Sequence, residues 1–326
     1  MKAAVYTKYG PPEVVTLRDV LRPSPKRDQI LVKIYASTVN RNDCGFRAPE
    51  YPLIVRPLHG LFRPRQTILG TEFAGTVEEI GSDVSTFTIG DRVFGLTGNS
   101  FGTHAEFVCV AEGGAVAPMP ENLQFEEAAA ICDGPWLALN MLKCLDLKGK
   151  RKILVNGASG SIGSACVQLL KYFGAEVVAV CSTRSLEVVK SLGADITIDF
   201  SKEDFTQCGL TFDAILDAVG KSNFYQCKPL LKDGGIYISS ELGEWFFQNP
   251  WLALWTPIVG GKQVRFPIPK LNKIDLLLFK ALAEKNKLVA VIDRTYSLAD
   301  IVEAYRYVET RQKVGNVVIQ NLSTKT

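Results

Sequence analysis

Three glycines at three-residue spacing, Gly157, Gly160 and Gly163, follow a short apolar run from Ile153 to Val155. The run predicts a buried parallel strand. Beyond the glycines, Ala165, Leu169 and Tyr172 fall on one helical face, which predicts a helix from Ser164 to Tyr172. Strand, tight turn and helix start together form the arrangement that holds a dinucleotide pyrophosphate. Glycine lets the backbone turn and lets phosphate oxygens come close, and the unsatisfied N–H groups of the helix start face the anion. Gly157, Ser159, Gly160, Ser161, Ile162 and Gly163 are therefore candidate cofactor-binding residues. A glycine-rich turn in some other α/β protein would share the spacing. The strand-like run Glu176 to Cys181 directly after the helix favours the dinucleotide, and with it nicotinamide-dependent oxidation and reduction.

An acidic residue usually ends the second strand of such a unit, where it accepts the ribose 2′-hydroxyl. Here Ser182, Thr183 and Arg184 follow Cys181. A guanidinium can meet a 2′-phosphate with paired charge-assisted bonds. The expected cofactor is NADP(H), with Ser182, Thr183 and Arg184 as its contacts. The other reading of Arg184 is a solvated residue capping the next helix.

The same sequence argues against metal chemistry. There are two histidines, His59 and His104, and eight cysteines with no Cys-x-x-Cys pair. That spacing suits neither a zinc ribbon nor a dithiol redox motif. Several cysteines sit inside apolar runs, as reduced, buried small residues do.

These residues need elements to position them. With 326 residues, 47% of them hydrophobic, the chain has enough material for two cores. Lys2–Tyr6, Gln29–Ala36, Glu72–Ile80, Arg92–Leu96 and Ala105–Val110 read as short strands punctuated by Gly and Pro, a small and mostly antiparallel barrel-like domain. From about Phe125 the pattern changes to a helix, Glu126–Leu145, broken near Gly134-Pro135. Alternating strands and helices then run to a last strand at Lys262–Phe266, as in a doubly wound parallel sheet. The expected domains are 1–123, completed by 270–326, and 124–269. A net charge of +3 gives no reason to expect a nucleic-acid partner. No apolar run reaches the length of a membrane span, and the N-terminus shows no secretory h-region, so the expected location is the cytoplasm.

The domain order, with Ile68-Leu69-Gly70-Thr71-Glu72-Phe73-Ala74-Gly75, Ile89-Gly90-Asp91-Arg92-Val93, the Gly157–Gly163 loop, Ser191-Leu192-Gly193-Ala194-Asp195, Ile198-Asp199-Phe200 and Lys313-Val314-Gly315-Asn316-Val317-Val318, resembles the medium-chain dehydrogenase/reductase superfamily. Within it the resemblance is to the zinc-free quinone oxidoreductase branch, which includes zeta-crystallin. It implies a GroES-like β-barrel catalytic domain beside a Rossmann-type domain. The zinc-using relatives place a cysteine where this chain has Ser37-Thr38-Val39-Asn40, and a histidine where it has Thr71 before Glu72. They also carry a lobe of four cysteines that Gly95–Glu106 lacks. No metal site is therefore expected. Asn40 and Asp43 match the zinc-free branch's paired residues, in which the asparagine reaches the nicotinamide ribose and substrate. They are the candidate catalytic residues, although the same pair suits turn and cap chemistry. Where that branch often has a tyrosine beyond the aspartate, this chain has Cys44-Gly45-Phe46. The resemblance further implies that Val219, Gly220 and Leu242 border the nicotinamide and that Arg311 is a second phosphate contact. Phe200 replaces the usual tyrosine there.

Two aromatic segments, Tyr51–Arg65 and Trp245–Val259, suggest a substrate pocket, a subunit contact or a membrane contact. Phe46, Tyr51, Cys132 and Trp245 are the candidate pocket residues for a small hydrophobic or planar substrate. The expected activity is NADPH-dependent, zinc-independent reduction of quinones or α,β-unsaturated carbonyls. An enoyl-thioester reductase using Arg56, Arg63 and Arg65 is an alternative, as is a cofactor-binding protein with little turnover. The edge strand at Lys262–Phe266 suggests a homodimer.

Overall fold

The computed structural model describes residues 1–50, 59–244 and 247–321. Two compact units divide the chain. Met1–Asp133 with Leu271–Thr326 forms the first, and Gly134–Lys270 the second.

The first unit is built on a seven-stranded sheet. Its strands are β3 (Gln29–Val39), β4 (Glu72–Ile80), β5 (Arg92–Leu96), β6 (Phe107–Ala111), β7 (Val116–Pro118), β14 (Ile292–Ser297) and β15 (Asn316–Gln320). The order is β14-β15-β3-β4-β5-β7, with β6 also on β3, and every pairing is antiparallel except β14 with β15. A separate hairpin pairs β1 (Lys2–Val5) with β2 (Thr16–Asp19). β3 reads Gln-Ile-Leu-Val-Lys-Ile-Tyr-Ala-Ser-Thr-Val, β-branched and apolar almost throughout. It is buried along most of its length and forms the spine of the unit. One core gathers Ile30, Val32, Ile34, Phe73, Val77 and Val93. Another joins Ala4, Tyr6, Val39, Cys44, Phe101 and Tyr305. The short helix Phe125–Ala130, which the change of pattern near residue 125 assigns to the second domain, packs instead on β3, β4 and β15.

The second unit has six parallel strands: β8 (Lys152–Asn156), β9 (Glu176–Cys181), β10 (Ile196–Asp199), β11 (Phe212–Asp217), β12 (Leu231–Ser239) and β13 (Gln263–Arg265). Their order, β10-β9-β8-β11-β12-β13, is that of a dinucleotide-binding sheet, and β8 lies at its centre. Helices Ser161–Tyr172 and Leu186–Ser191 connect neighbouring strands. The first of these begins at Ser161, three residues before the periodicity places it, and Tyr172 is half exposed rather than core. Trp251, Trp255 and their neighbours form a helix, Gln248–Val259, that lies on β13 through Leu252 and Thr256.

One buried charge ties distant parts of the first unit together. Arg47 is wholly buried in the helix Arg41–Arg47. Its guanidinium donates to Gly10 O and to the Glu309 carboxylate and lies 5.2 Å from the Tyr305 ring centre. Its Nε has no partner among the described residues. Removing one member of such a pair leaves the other desolvated and alone. Arg47→Ala is expected to lower stability by about 3 kcal/mol in urea unfolding, and a change below 1 kcal/mol would mean the pair contributes like an ordinary surface one.

Candidate active site

In the second unit the polar ends of the parallel strands carry the cofactor candidates. Gly157 has φ +78, and its N–H and that of Ala158 donate to Val180 O at 3.1 and 2.9 Å. A Cβ on Gly163 would lie 2.1 Å from Gly157 O, so only glycine lets the helix reach the strand end this closely. Gly160 is the N-cap of the helix Ser161–Tyr172 and supplies no side-chain oxygen to the first N–H groups. Those donors lack intrahelical partners and point out past Ser159, Gly160, Ser161 and Ile162, all part-exposed. The loop thus fits a dinucleotide pyrophosphate: the helix-start donors are in place, and no cap side chain takes them.

At the end of β9 the groups expected to meet the 2′-phosphate are not equivalent. Thr183 Oγ1 donates to Asp199 Oδ2 at 2.5 Å, and Ser182 Oγ shares a hydrogen bond with Ser185 Oγ at 3.1 Å. A phosphate only accepts, and the Thr183 proton is already committed. Arg184 is exposed and makes no ion pair among the described residues. It is the group in this turn able to meet an anion. Asp199, quoted above only as a family signature, holds Thr183 and the Ser201 N–H, and those bonds keep its carboxyl below the usual range. On the neighbouring loops the Val219 side chain occupies the space beside Gly157, where a Cβ would come within 2.3 Å of Val219 Cγ1. Gly220, φ +61, leaves room for Glu241, and Leu242 O accepts from Asn249 N at 3.0 Å.

The first unit holds a second polar cluster. Asn40 follows β3 and caps the helix Arg41–Arg47: its Oδ1 accepts from Asp43 N at 3.0 Å, and its own N–H donates to Asp43 Oδ2 at 2.9 Å. Its amide also donates to Thr71 Oγ1 at 3.2 Å. Asp43 is fully buried, with Oδ1 accepting from Gly70 N at 3.0 Å and Oδ2 4.0 Å from His104 Nε2. Cap chemistry occupies both residues. Asp43 is left to position Asn40, Gly70 and His104, while Asn40 stays part-exposed. His104 Nε2 lies 2.8 Å from Thr38 O, which can only accept, so that nitrogen carries the proton and Nδ1 accepts from Tyr305 OH at 3.2 Å.

Glu72 is the buried centre of this cluster. It accepts from Thr38 Oγ1 and, at 2.8 Å, from Asp133 N. Burial pushes its carboxyl from the ordinary 4.5 up to about 7. Burial likewise raises Asp133, helped by the charge of Glu72, and raises Asp43. Lys313, half-buried near Glu72 and Asp133, is pushed down by desolvation, and its Nζ donates to Gly315 O at 2.5 Å. Composition and periodicity passed over this group. Its signal is a glutamate at the buried start of β4, directly before Phe73-Ala74-Gly75.

The remaining candidates separate. Cys132 is fully buried with its thiol donating to Ala128 O at 3.3 Å, so it lines no open pocket. Phe46 packs edge-on against Phe101 and His59, with ring centres 4.8 and 4.5 Å away, as part of a core. Arg311 is exposed in a left-handed conformation, φ +59. It borders a hollow of about 450 Å³ in the first unit shared with Arg41, Arg47, Glu50 and Glu309. Tyr51, Arg56 and Trp245 lie outside the described residues. Among the described residues no three His, Cys, Asp or Glu side chains group so as to hold a metal ion, and no helix is long and apolar enough to cross a membrane.

Residues 26–121 match the alcohol dehydrogenase GroES-like domain family, and residues 192–319 the family described as zinc-binding dehydrogenase. Over 98% of its length the chain is 34% identical to a tomato (Solanum lycopersicum) 2-methylene-furan-3-one reductase, covering 79% of that protein. It is 29% identical, with the same coverage, to a chloroplastic NADPH-dependent alkenal/one oxidoreductase of Arabidopsis thaliana. The chain belongs to the medium-chain dehydrogenase/reductase superfamily, in its quinone oxidoreductase-like branch. The structure of a quinone oxidoreductase from Coxiella burnetii superposes with a TM-score of 0.88 at 27% identity, covering 99% of both chains. Superfamily members share the GroES-like and nucleotide-binding parts found here. The chain's own departures from the branch pattern, Phe46 and Phe200 among them, remain as read from the sequence.

The raised carboxyl of Glu72 has a consequence for this member. Unfolded, Glu72 ionises near 4.5; folded, near 7. Its contribution to stability is full below pH 4.5 and is lost as the pH rises through 7, because only the folded state still holds the proton in between. Glu72→Gln removes that titration. Melting temperatures measured from pH 4.5 to 7.5 should fall less steeply for Glu72→Gln than for the wild type, and parallel curves would show that Glu72 is ionised throughout.

Proposed function

We propose that the chain is a zinc-independent, NADPH-dependent oxidoreductase that reduces quinones or α,β-unsaturated carbonyl compounds. One observation carries the cofactor reading: beside a glycine loop open to a pyrophosphate stands the exposed Arg184, in the turn where an acid would select NADH. The substrate class rests on the relatives, one named an alkenal/one oxidoreductase and one a 2-methylene-furan-3-one reductase. When bound, NADPH supplies a hydride. The chain's residues hold and orient. The helix start at Ser161 meets the pyrophosphate, Arg184 the 2′-phosphate, and Val219 and Gly220 give the nicotinamide side its shape. In the first unit Asp43 and Thr71 fix the Asn40 amide, which in this reading meets the substrate. Zinc independence is supported by His104, both of whose ring nitrogens are already engaged.

We further propose a homodimer, and the cytoplasm as a reducing location in keeping with eight free cysteines. β13 ends the parallel sheet, and beside it the helix Gln248–Val259 has no charged residue and exposes Trp251, Leu254, Trp255 and Ile258. An open sheet edge next to an apolar face suits pairing with a second copy.

NADPH oxidation measured with a panel of quinones and enones, with a chelator present, is expected to show turnover that NADH does not match. Arg184→Ala should narrow the preference for NADPH by about 2 kcal/mol. Turnover only with acyl thioesters would favour an enoyl reductase, and none with any acceptor would favour a binding role. Light scattering at micromolar concentration should give about twice 35.8 kDa; a monomer mass would remove the assembly reading.

A further inference from the structure

Asp217, the last residue of β11, has no exposed surface, and its carboxylate is surrounded by donors. Oδ1 accepts from Asn156 Nδ2 at 3.1 Å and from Val219 N at 3.2 Å. Oδ2 accepts from Ser222 N and from Tyr237 OH, each at 3.1 Å. The backbone N–H of Lys221 is a fifth donor. Asp217 O accepts from Ser240 N at 3.0 Å, and Ala218 N donates to Asn156 O at 3.0 Å. One residue thus ties together the ends of β8, β11 and β12 and the turn 218–222. That turn is not a bystander, because the Val219 side chain fills the space beside Gly157 that a Cβ would need.

We infer that Asp217 is a positioning residue for the dinucleotide: it sets the turn that carries Val219 and Gly220 and, through Val219, the shape of the Gly157 loop. The inference rests on the NADPH reading above and adds to it a residue that touches no cofactor atom. A carboxylate is required rather than an amide. Its two oxygens only accept, and five donors converge on them. In Asp217→Asn the amide nitrogen would face either Asn156 and Val219 or Ser222 and Tyr237. On the second side Tyr237 can turn its hydroxyl to Ser222 O, 3.2 Å away, but the Ser222 N–H cannot turn. The turn loses an anchor while the buried volume stays the same.

Two probes separate this role from general damage. NADPH spans the loop and the nicotinamide side, whereas adenosine 2′,5′-bisphosphate reaches only the adenosine end near Arg184. Fluorescence and calorimetric titrations of Asp217→Asn should show NADPH bound about tenfold more weakly, with the bisphosphate bound as by the wild type. Val219→Ala, on a part-exposed side chain, should move in the same direction and serves if Asp217→Asn does not fold. Equal weakening of both probes, or wild-type binding of both by either variant, would overturn the proposal. A wild-type protein that binds the bisphosphate but not NADPH, or neither probe, would instead sink the cofactor reading on which it stands.

Discussion

The second unit depends on how closely a helix can approach the end of a strand. β8 lies in the middle of the parallel sheet, and the helix that follows it can present bare N–H groups only if nothing separates the two. The backbone oxygen of Gly157 stands where a Cβ of Gly163 would be, 2.1 Å away, so the contact is made backbone to backbone. Sheet order, the turn after β11 and the exposed arginine after β9 are all arranged around that contact. A larger residue at Gly163 would push the helix off, and the donors would no longer converge.

The first unit solves a different problem, the burial of several charged and polar groups. Unpaired, each would be costly, and most find partners, with Arg47 Nε and Thr103 Oγ1 among the exceptions. Asp43 takes N–H groups from Asn40 and Gly70, His104 bridges Thr38 O and Tyr305 OH, and Glu72 takes the Thr38 hydroxyl and the Asp133 N–H. Gly70 makes this possible, since a Cβ there would lie 2.3 Å from Thr103 Oγ1 and 2.5 Å from His104 Cδ2. Linked in this way, the groups define one tautomer and one set of rotamers, a rigid frame for the half-buried Asn40.

Periodicity made most of this architecture legible. β4, β5 and β9 have the bounds their apolar runs suggest, and the glycine loop lies where its spacing puts it. Misreadings have local causes. Ser161, Ile162 and Gly163 add little to an apolar stripe, so periodicity alone starts the helix at Ser164 and not at Ser161. The break in the helix after residue 125 falls at Ile131-Cys132, not at Gly134-Pro135. Pro135 sits in the first turn of the helix Asp133–Leu142, where its missing N–H has no partner to lose. Pro250, in the first turn, disguises the helix Gln248–Val259 in the same way, and Pro257 lies inside it. The polar cluster was least legible. Tyr305 and His104 are 201 residues apart, and no local pattern announces their meeting. Thr183 shows the same limit, since no local pattern announces that its hydroxyl donates to Asp199, 16 residues on.

The buried Glu72 also makes folding a protonation reaction. Between the ordinary titration range of a free carboxylate and about pH 7, it holds a proton in the native state that the unfolded chain releases. Refolding in that window therefore draws protons from the buffer, and the heat it evolves contains the buffer's own enthalpy of ionisation. Calorimetry in phosphate and in an amine buffer at one pH would report different enthalpies for the same chain.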